Sequence, residues 1–254
     1  MPPQHADGIT RPIGPPTTVG EILLAGLSLY GANAAAVIGV TVAIWLPIEL
    51  LQSYYEYFVA DASDVGRSFG MTIWIENLLG VIPIASVVAI GNAAMNGERP
   101  SIWFGLRSGL EAWPRMVGTR IIVGLITILG LVVFVVPGIY FAVRTTLAEQ
   151  AAVIERMNPM ASTQRSFQLT QGTFWRYFFL DAICVGFMFF VGALTQIPAV
   201  IFPEYNHWVL SAILALIVDA VSAWPVLVLV AAYWASARPG MRIDGAQDEA
   251  GASG

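Results

Sequence analysis

Six stretches of about twenty residues, rich in Ala, Val, Leu, Ile and Phe and nearly free of charge, fall near 33–53, 72–93, 116–136, 139–155, 176–198 and 209–236. At 1.5 Å of rise per residue, a helix of that length matches the roughly 30 Å hydrocarbon layer of a bilayer. A soluble bundle can bury an isolated apolar helix, but it has no use for six of them in series. The fifth and sixth stretches are the clearest, running through ICVGFMFFVGAL and VLSAILALIVDAVSAWPVLVLVAAYW. The expected fold is therefore all-α: a polytopic membrane bundle of six transmembrane helices, with amphipathic helices on the cytoplasmic side. Residues 19–238 form this domain, and 1–18 and 239–254 are expected as flexible cytoplasmic tails.

Composition agrees. Charged residues make up 11% of the chain, against about 25% in soluble domains. The formal charge of -5 argues against nucleic acid as a partner. All 12 basic residues are arginine. Cys184 is the only cysteine and lies in an apolar run, so it reads as a small buried thiol rather than half of a disulfide. The first twenty residues lack an early apolar core, which leaves the first span to act as the targeting signal.

Arginine placement sets the orientation. Arg11, then Arg99, Arg107 and Arg115, then Arg156, Arg165 and Arg176, and finally Arg238 and Arg242 fall in segments that six spans put on one side. The opposite side carries Asp61, Asp64 and Glu204, with Arg67 its only cation. The positive-inside rule then puts both termini in the cytoplasm of a bacterial-type inner membrane. Amphipathic sequence occurs at Glu21–Tyr30, Ile102–Trp113 and Pro159–Thr170, and a weak likeness between RSGLEAWPR and RSFQLTQGTFWR leaves a threefold repeat open. Pro137-Gly138 reads either as an outer-face hairpin or as a kink in one long helix. The hairpin is preferred, since Val117–Glu155 is too long for one crossing. Trp103, Trp113, Trp175 and Trp208 suit the headgroup layer.

Ionisable groups at membrane depth mark candidate sites. Two networks are expected. In the outer half, Arg144 pairs with Glu76 or Glu49. Nearer the inner face, Arg120, Glu149 and Asp181 form a group. Asp219 lies near the middle of the sixth span with no obvious cation at its level. For each network, fixing helix packing competes with lining a substrate or proton route and with ordinary snorkelling at the interface. No Walker loop, HExxH, cysteine cluster or GxSxG elbow is present, and His5 and His207 make no zinc centre. No catalytic residue, cofactor or metal is expected.

The segment from Pro137 to Arg176 is distinctive: PGIYFAVRTTLAEQAAVIERMNPMASTQRSFQLTQGTFWR. It resembles the membrane domain associated with bacterial glycerophosphoryl diester phosphodiesterases, and the YciC-like inner-membrane proteins. The residues carrying the resemblance are Pro137, Gly138, Ile139, Tyr140, Arg144, Glu155, Arg165, Ser166, Leu169, Thr170, Gly172, Trp175 and Arg176, with Gly97–Ser101 (GERPS) beside them. Ser162 departs from the pattern where alanine is common, and Glu149 is an added acid. The resemblance implies a six-span membrane domain. It does not imply hydrolysis, because the soluble catalytic barrel is absent.

Read on its own residues, the motif places Pro137-Gly138 at a turn, Tyr140 as an anchor, Ser166 and Thr170 in local hydrogen bonds, Gly172 at a redirection of the chain, and Trp175-Arg176 at the entry to the next span. Glu155, Arg156 and Arg165 can approach a lipid phosphate. The leading function is a non-enzymatic membrane protein that organises the envelope or binds membrane lipids, among them anionic glycerophospholipid, or a membrane protein partner. The alternative is a small-solute or ion transporter using Arg144, Glu149, Asp181 and Asp219.

Overall fold

A computed structural model describes residues 18–59, 70, 74–75, 77–201 and 207–237. The chain opens with a capping box. Thr18 Oγ1 accepts from the Glu21 N–H at 3.2 Å, and Glu21 Oε2 accepts from the Thr18 N–H at 3.1 Å, satisfying two donors at the start of α1 (Val19–Ala32). Asn33 ends that helix by bonding its own side chain to the Leu29 carbonyl, and α2 (Ala34–Phe58) follows at once. Next come α3 (Val81–Met95) and α4 (Ile102–Val133), the latter capped by Ser101 Oγ on the Phe104 N–H. Two short helices, α5 (Val135–Thr145) and α6 (Ala148–Ile154), lead to α7 (Pro159–Leu169), which Asn158 caps and Pro159 starts. The long α8 (Phe174–Ile201) and α9 (Trp208–Ala237) complete the described helices.

Four helices, α2, α4, α8 and α9, are long and apolar enough to cross a bilayer. Only 11% to 28% of the residues in their most apolar stretches are buried within the chain. Phe189, Phe190, Ile128 and Leu129 are among the large apolar side chains left exposed. A water-soluble fold does not present such continuous apolar surface, so this is a multi-pass membrane protein.

The six-span expectation is corrected to four long helices. In the second stretch the described helix, α3, has 15 residues, about 22 Å, and most of its side chains are covered by protein rather than open to lipid. The fourth stretch is interrupted: α5 stops at Thr145 after 11 residues, about 16 Å, and α6 adds a separate 7. Two further boundaries move. The amphipathic stretch Ile102–Trp113 is not a separate surface helix but the first part of α4, which continues through Pro114. The hairpin falls at Phe134, whose φ of -171° and ψ of 155° put it in the extended region between α4 and α5. Pro137 sits in the first turn of α5, where a missing N–H costs no helical bond. Gly138 lets the two helices touch: a side chain at Gly130 would stand 3.0 Å from the Gly138 Cα.

The C-terminal half of α9 is the post on which the fold is built. Ala223 and Leu227 pack with Val37 and Val40 of α2 and Val87 and Ile90 of α3. Val230 packs with Val88 of α3, Met116 of α4 and Ala152 of α6. Val228, Ala231 and Ala232 face Ile22 of α1, Leu147, and Tyr177 and Leu180 of α8. Small residues make this approach possible: a methyl at Gly26 would lie 2.7 Å from the Val228 Cα. The other half of α9 meets α2 through Ser53, whose hydroxyl donates to the Trp208 carbonyl at 2.6 Å.

Candidate functional site

The motif residues converge where α5 gives way to α6. The chain there has neither proline nor glycine, and the break is held from outside by α7. Ser166, fully buried, donates its hydroxyl to the Arg144 carbonyl at 2.9 Å and accepts from the Leu147 N–H at 3.1 Å. One side chain thus satisfies a carbonyl at the end of one helix and an N–H at the start of the next. Thr170 donates to the Ser166 carbonyl at 2.8 Å, and Ser162 lies 3.1 Å from Thr119 Oγ1 on α4. Ser162, Ser166 and Thr170 recur every fourth residue and are all buried, so α7 is clamped by a stripe of hydroxyls.

The acids in this region are occupied. Glu155 Oε1 accepts from Arg165 Nε at 3.0 Å and from the Tyr233 hydroxyl of α9. Burial alone would lower the Arg165 pKa. Its hydrogen bonds to Glu155 and Tyr233, with the carboxylate's charge, outweigh this and hold the guanidinium above its ordinary value. Glu149 pairs with Arg120 at 2.8 Å. Asp181 accepts from the Thr146 hydroxyl at 2.8 Å. Arg120 and Glu149 of the inner group therefore meet, while Asp181 bonds a different residue.

Arg144 and Arg176 are left without a carboxylate partner among the described residues. Arg144 donates to the Phe167 carbonyl at 2.7 Å and lies 5.3 Å from the Phe167 ring centre and 5.9 Å from that of Tyr140. It does not pair with Glu49, which sits on α2, and Glu76 lies outside the described residues. Arg176 donates to Ser236 Oγ at 2.8 Å and to the Tyr177 hydroxyl at 3.3 Å. The Nε atoms of both arginines, and the Thr173 hydroxyl between them in sequence, are buried without a hydrogen-bond partner. Thr173 and Arg176 sit at the start of α8, and Arg144 borders it through Tyr140. The Tyr140 ring beside Arg144 stacks on Phe174 at 5.6 Å, and Arg176 follows two residues later. The positive dipole end of α8 adds to the same field.

The remaining motif residues shape this corner. Gly172, with φ +75°, turns the chain from α7 into α8. Trp175 projects outward, 66% exposed, and Tyr140 is half-exposed. Arg156 lies on the surface with a left-handed φ of 53°. Asp219 is on α9, where its backbone carbonyl accepts from Ser222. Among the described residues no group of three His, Cys, Asp or Glu side chains can hold a metal ion. Thr119, Thr146, Tyr233 and Ser236 join these contacts without any mark in the sequence. The four-residue spacing of Ser162, Ser166 and Thr170 was the one available signal. No family model, curated protein or solved structure matches this chain.

Proposed function

We propose that this protein is a non-enzymatic inner-membrane protein that holds anionic glycerophospholipid headgroups at the arginine-lined base of α8, and so organises the envelope membrane around it. The single observation behind this reading is the charge balance of that corner. Glu149, Glu155 and Asp181 each have a hydrogen-bonding partner, while Arg144 and Arg176 keep uncompensated guanidinium groups with buried, unused donors. A phosphodiester supplies what they lack, a singly charged acceptor that a guanidinium fork can bind through two parallel bonds. Arg165 is excluded as the main ligand, because Glu155 already neutralises it. The likeness of 137–176 to the phosphodiesterase-associated membrane domain fits a lipid-related role and carries no hydrolase activity with it. Cytoplasmic placement of both termini belongs to the same proposal and rests on the arginine distribution.

The test is native mass spectrometry of protein extracted gently from membranes containing phosphatidylglycerol and phosphatidylcholine. The wild type retains phosphatidylglycerol. Arg144→Gln and Arg176→Gln each weaken retention by about tenfold or more, as expected for a charge-assisted hydrogen bond. Arg107→Gln, on an exposed pair with Glu111, leaves retention unchanged. Equal retention by all four proteins overturns the proposal.

A further inference from the structure

Arg144 and Arg176 stand on opposite flanks of α8. Successive residues of an α-helix are about 100° apart, so Arg176 is turned about 200° from Phe174. Phe174 stacks on Tyr140, the ring beside Arg144, and the stack continues onto Phe178 one turn further on. Arg176 instead reaches Ser236 near the end of α9. The exposed Trp175 projects between the two flanks. A helix with its side chains is about 10 to 12 Å across, and a phosphate oxygen takes its donors within about 3 Å. One phosphate therefore does not serve both arginines, and the base of α8 offers two separate positions.

The two positions differ in chemistry. Around Arg144 stand the rings of Tyr140 and Phe167, and the Phe167 carbonyl already accepts from its Nη2. Around Arg176 stand hydroxyls. Ser236 Oγ accepts from Arg176 Nη2 at 2.8 Å and hydrogen-bonds the Tyr177 hydroxyl, which lies 3.4 Å from the Ala232 carbonyl. Thr173 precedes Arg176 by three residues and Tyr177 by four, the spacing that brings side chains to one face of a helix. Its hydroxyl is unusual in this protein. Thr119, Thr145, Thr163 and Thr170 each donate to the carbonyl four residues earlier. Thr173 does not, because the chain turns at Gly172, with φ +75°, and leaves no helical turn behind it. Nor does the hydroxyl cap α8, since the N–H groups of Arg176 and Tyr177 bond the Thr173 carbonyl at 3.1 and 3.4 Å. Thr173 Oγ1 and Arg176 Nε are both buried without a hydrogen-bond partner. Buried polar groups are nearly always paired, so this flank has a hydroxyl and a guanidinium N–H to offer one molecule.

We infer, resting on the reading that this corner holds phospholipid headgroups, that the Arg176 position selects a phosphodiester whose headgroup alcohol carries free hydroxyls. The phosphate sits on Arg176 and a headgroup hydroxyl on Thr173. The Arg144 position, with rings in place of hydroxyls, takes any singly charged phosphodiester. Thr173 is thus the residue that determines specificity, and Ser236 is a positioning residue that holds the guanidinium from α9.

The experiment loads the whole chain with equal amounts of phosphatidylglycerol and phosphatidylethanol and counts retained lipids by native mass spectrometry. The two lipids share one charge and one phosphodiester and differ in their headgroup hydroxyls. The wild type is expected to retain two lipids that depend on these arginines. Arg144→Gln is expected to retain one, with phosphatidylglycerol favoured about fivefold, the worth of one neutral hydrogen bond. Arg176→Gln is expected to retain one with no preference. Adding Thr173→Val to Arg144→Gln should abolish the preference and keep the lipid. Thr173→Ser in the same background should keep both, which separates a lost hydroxyl from a folding defect. An Arg144→Gln protein that takes both lipids equally, or a preference that survives Thr173→Val, overturns the inference and leaves the lipid reading standing. Loss of both lipids on either single arginine substitution means one shared phosphate and overturns it equally. Retention that ignores both arginines overturns the inference and the lipid reading together.

Discussion

Replacing Ser166 by alanine removes one oxygen atom and is expected to be among the costliest small substitutions in the protein. The hydroxyl is fully buried and has two partners, the Arg144 carbonyl and the Leu147 N–H. Leu147 is itself fully buried, so its N–H has no water to turn to. A buried backbone group left unpaired costs about 1 to 3 kcal/mol. The Arg144 carbonyl loses less, because Thr170 Oγ1 stands 3.3 Å away and can shift toward it. Together these give about 2 to 3 kcal/mol, or roughly a 30- to 160-fold fall in the folded-to-unfolded ratio. Denaturant titration in mild detergent, followed by tryptophan fluorescence, measures the change. Gln168→Ala, exposed on the same helix, is the control and should stay within about 0.5 kcal/mol of the wild type. If Ser166→Ala unfolds at the same midpoint as Gln168→Ala, the helix break is not held by this hydroxyl and the reasoning fails.

Three further outcomes follow from the packing and the ion pairs. Gly109→Ala should lower stability by about 1 to 3 kcal/mol, since its methyl would meet Ser86 and lie 2.7 Å from the Ile82 carbonyl, whereas Gly124→Ala, with open space around it, should be neutral or slightly stabilising by the same titration. Glu155→Gln should cost about 1 to 2 kcal/mol by leaving Arg165 without its carboxylate, discounted because both side chains keep over a quarter of their exposure. A double-mutant cycle on Arg120→Gln and Glu149→Gln should return a coupling of about 1 kcal/mol, and additive losses would show that the pair is independent.

The apolar periodicity showed the membrane class and the cores of four helices, because length and hydropathy are local properties. It overcounted where tertiary structure decides. In the second stretch, apolar residues are buried by protein in α3 rather than by lipid, and composition does not separate the two. Pro137 drew the hairpin three residues too late, since the position of the turn depends on Gly130 and Gly138 touching across it. The amphipathic Ile102–Trp113 and the apolar stretch near 116–136 read as separate elements, yet α4 runs through both, Pro114 included. The break at Thr146 had no local signal, because Ser166, nineteen residues after Leu147, maintains it. Among the charges, the Arg120–Glu149 pair follows from similar depth. The isolation of Arg144 does not, because it depends on α5 lying alongside α8 and against α7 instead of reaching Glu49.

The most direct measurement is a high-resolution electron cryomicroscopy map of the protein in nanodiscs containing phosphatidylglycerol. Headgroup phosphate density is expected within about 4 Å of the Arg144 or Arg176 guanidinium. Phosphate density absent from both arginines, with each instead facing a protein carboxylate, would contradict it.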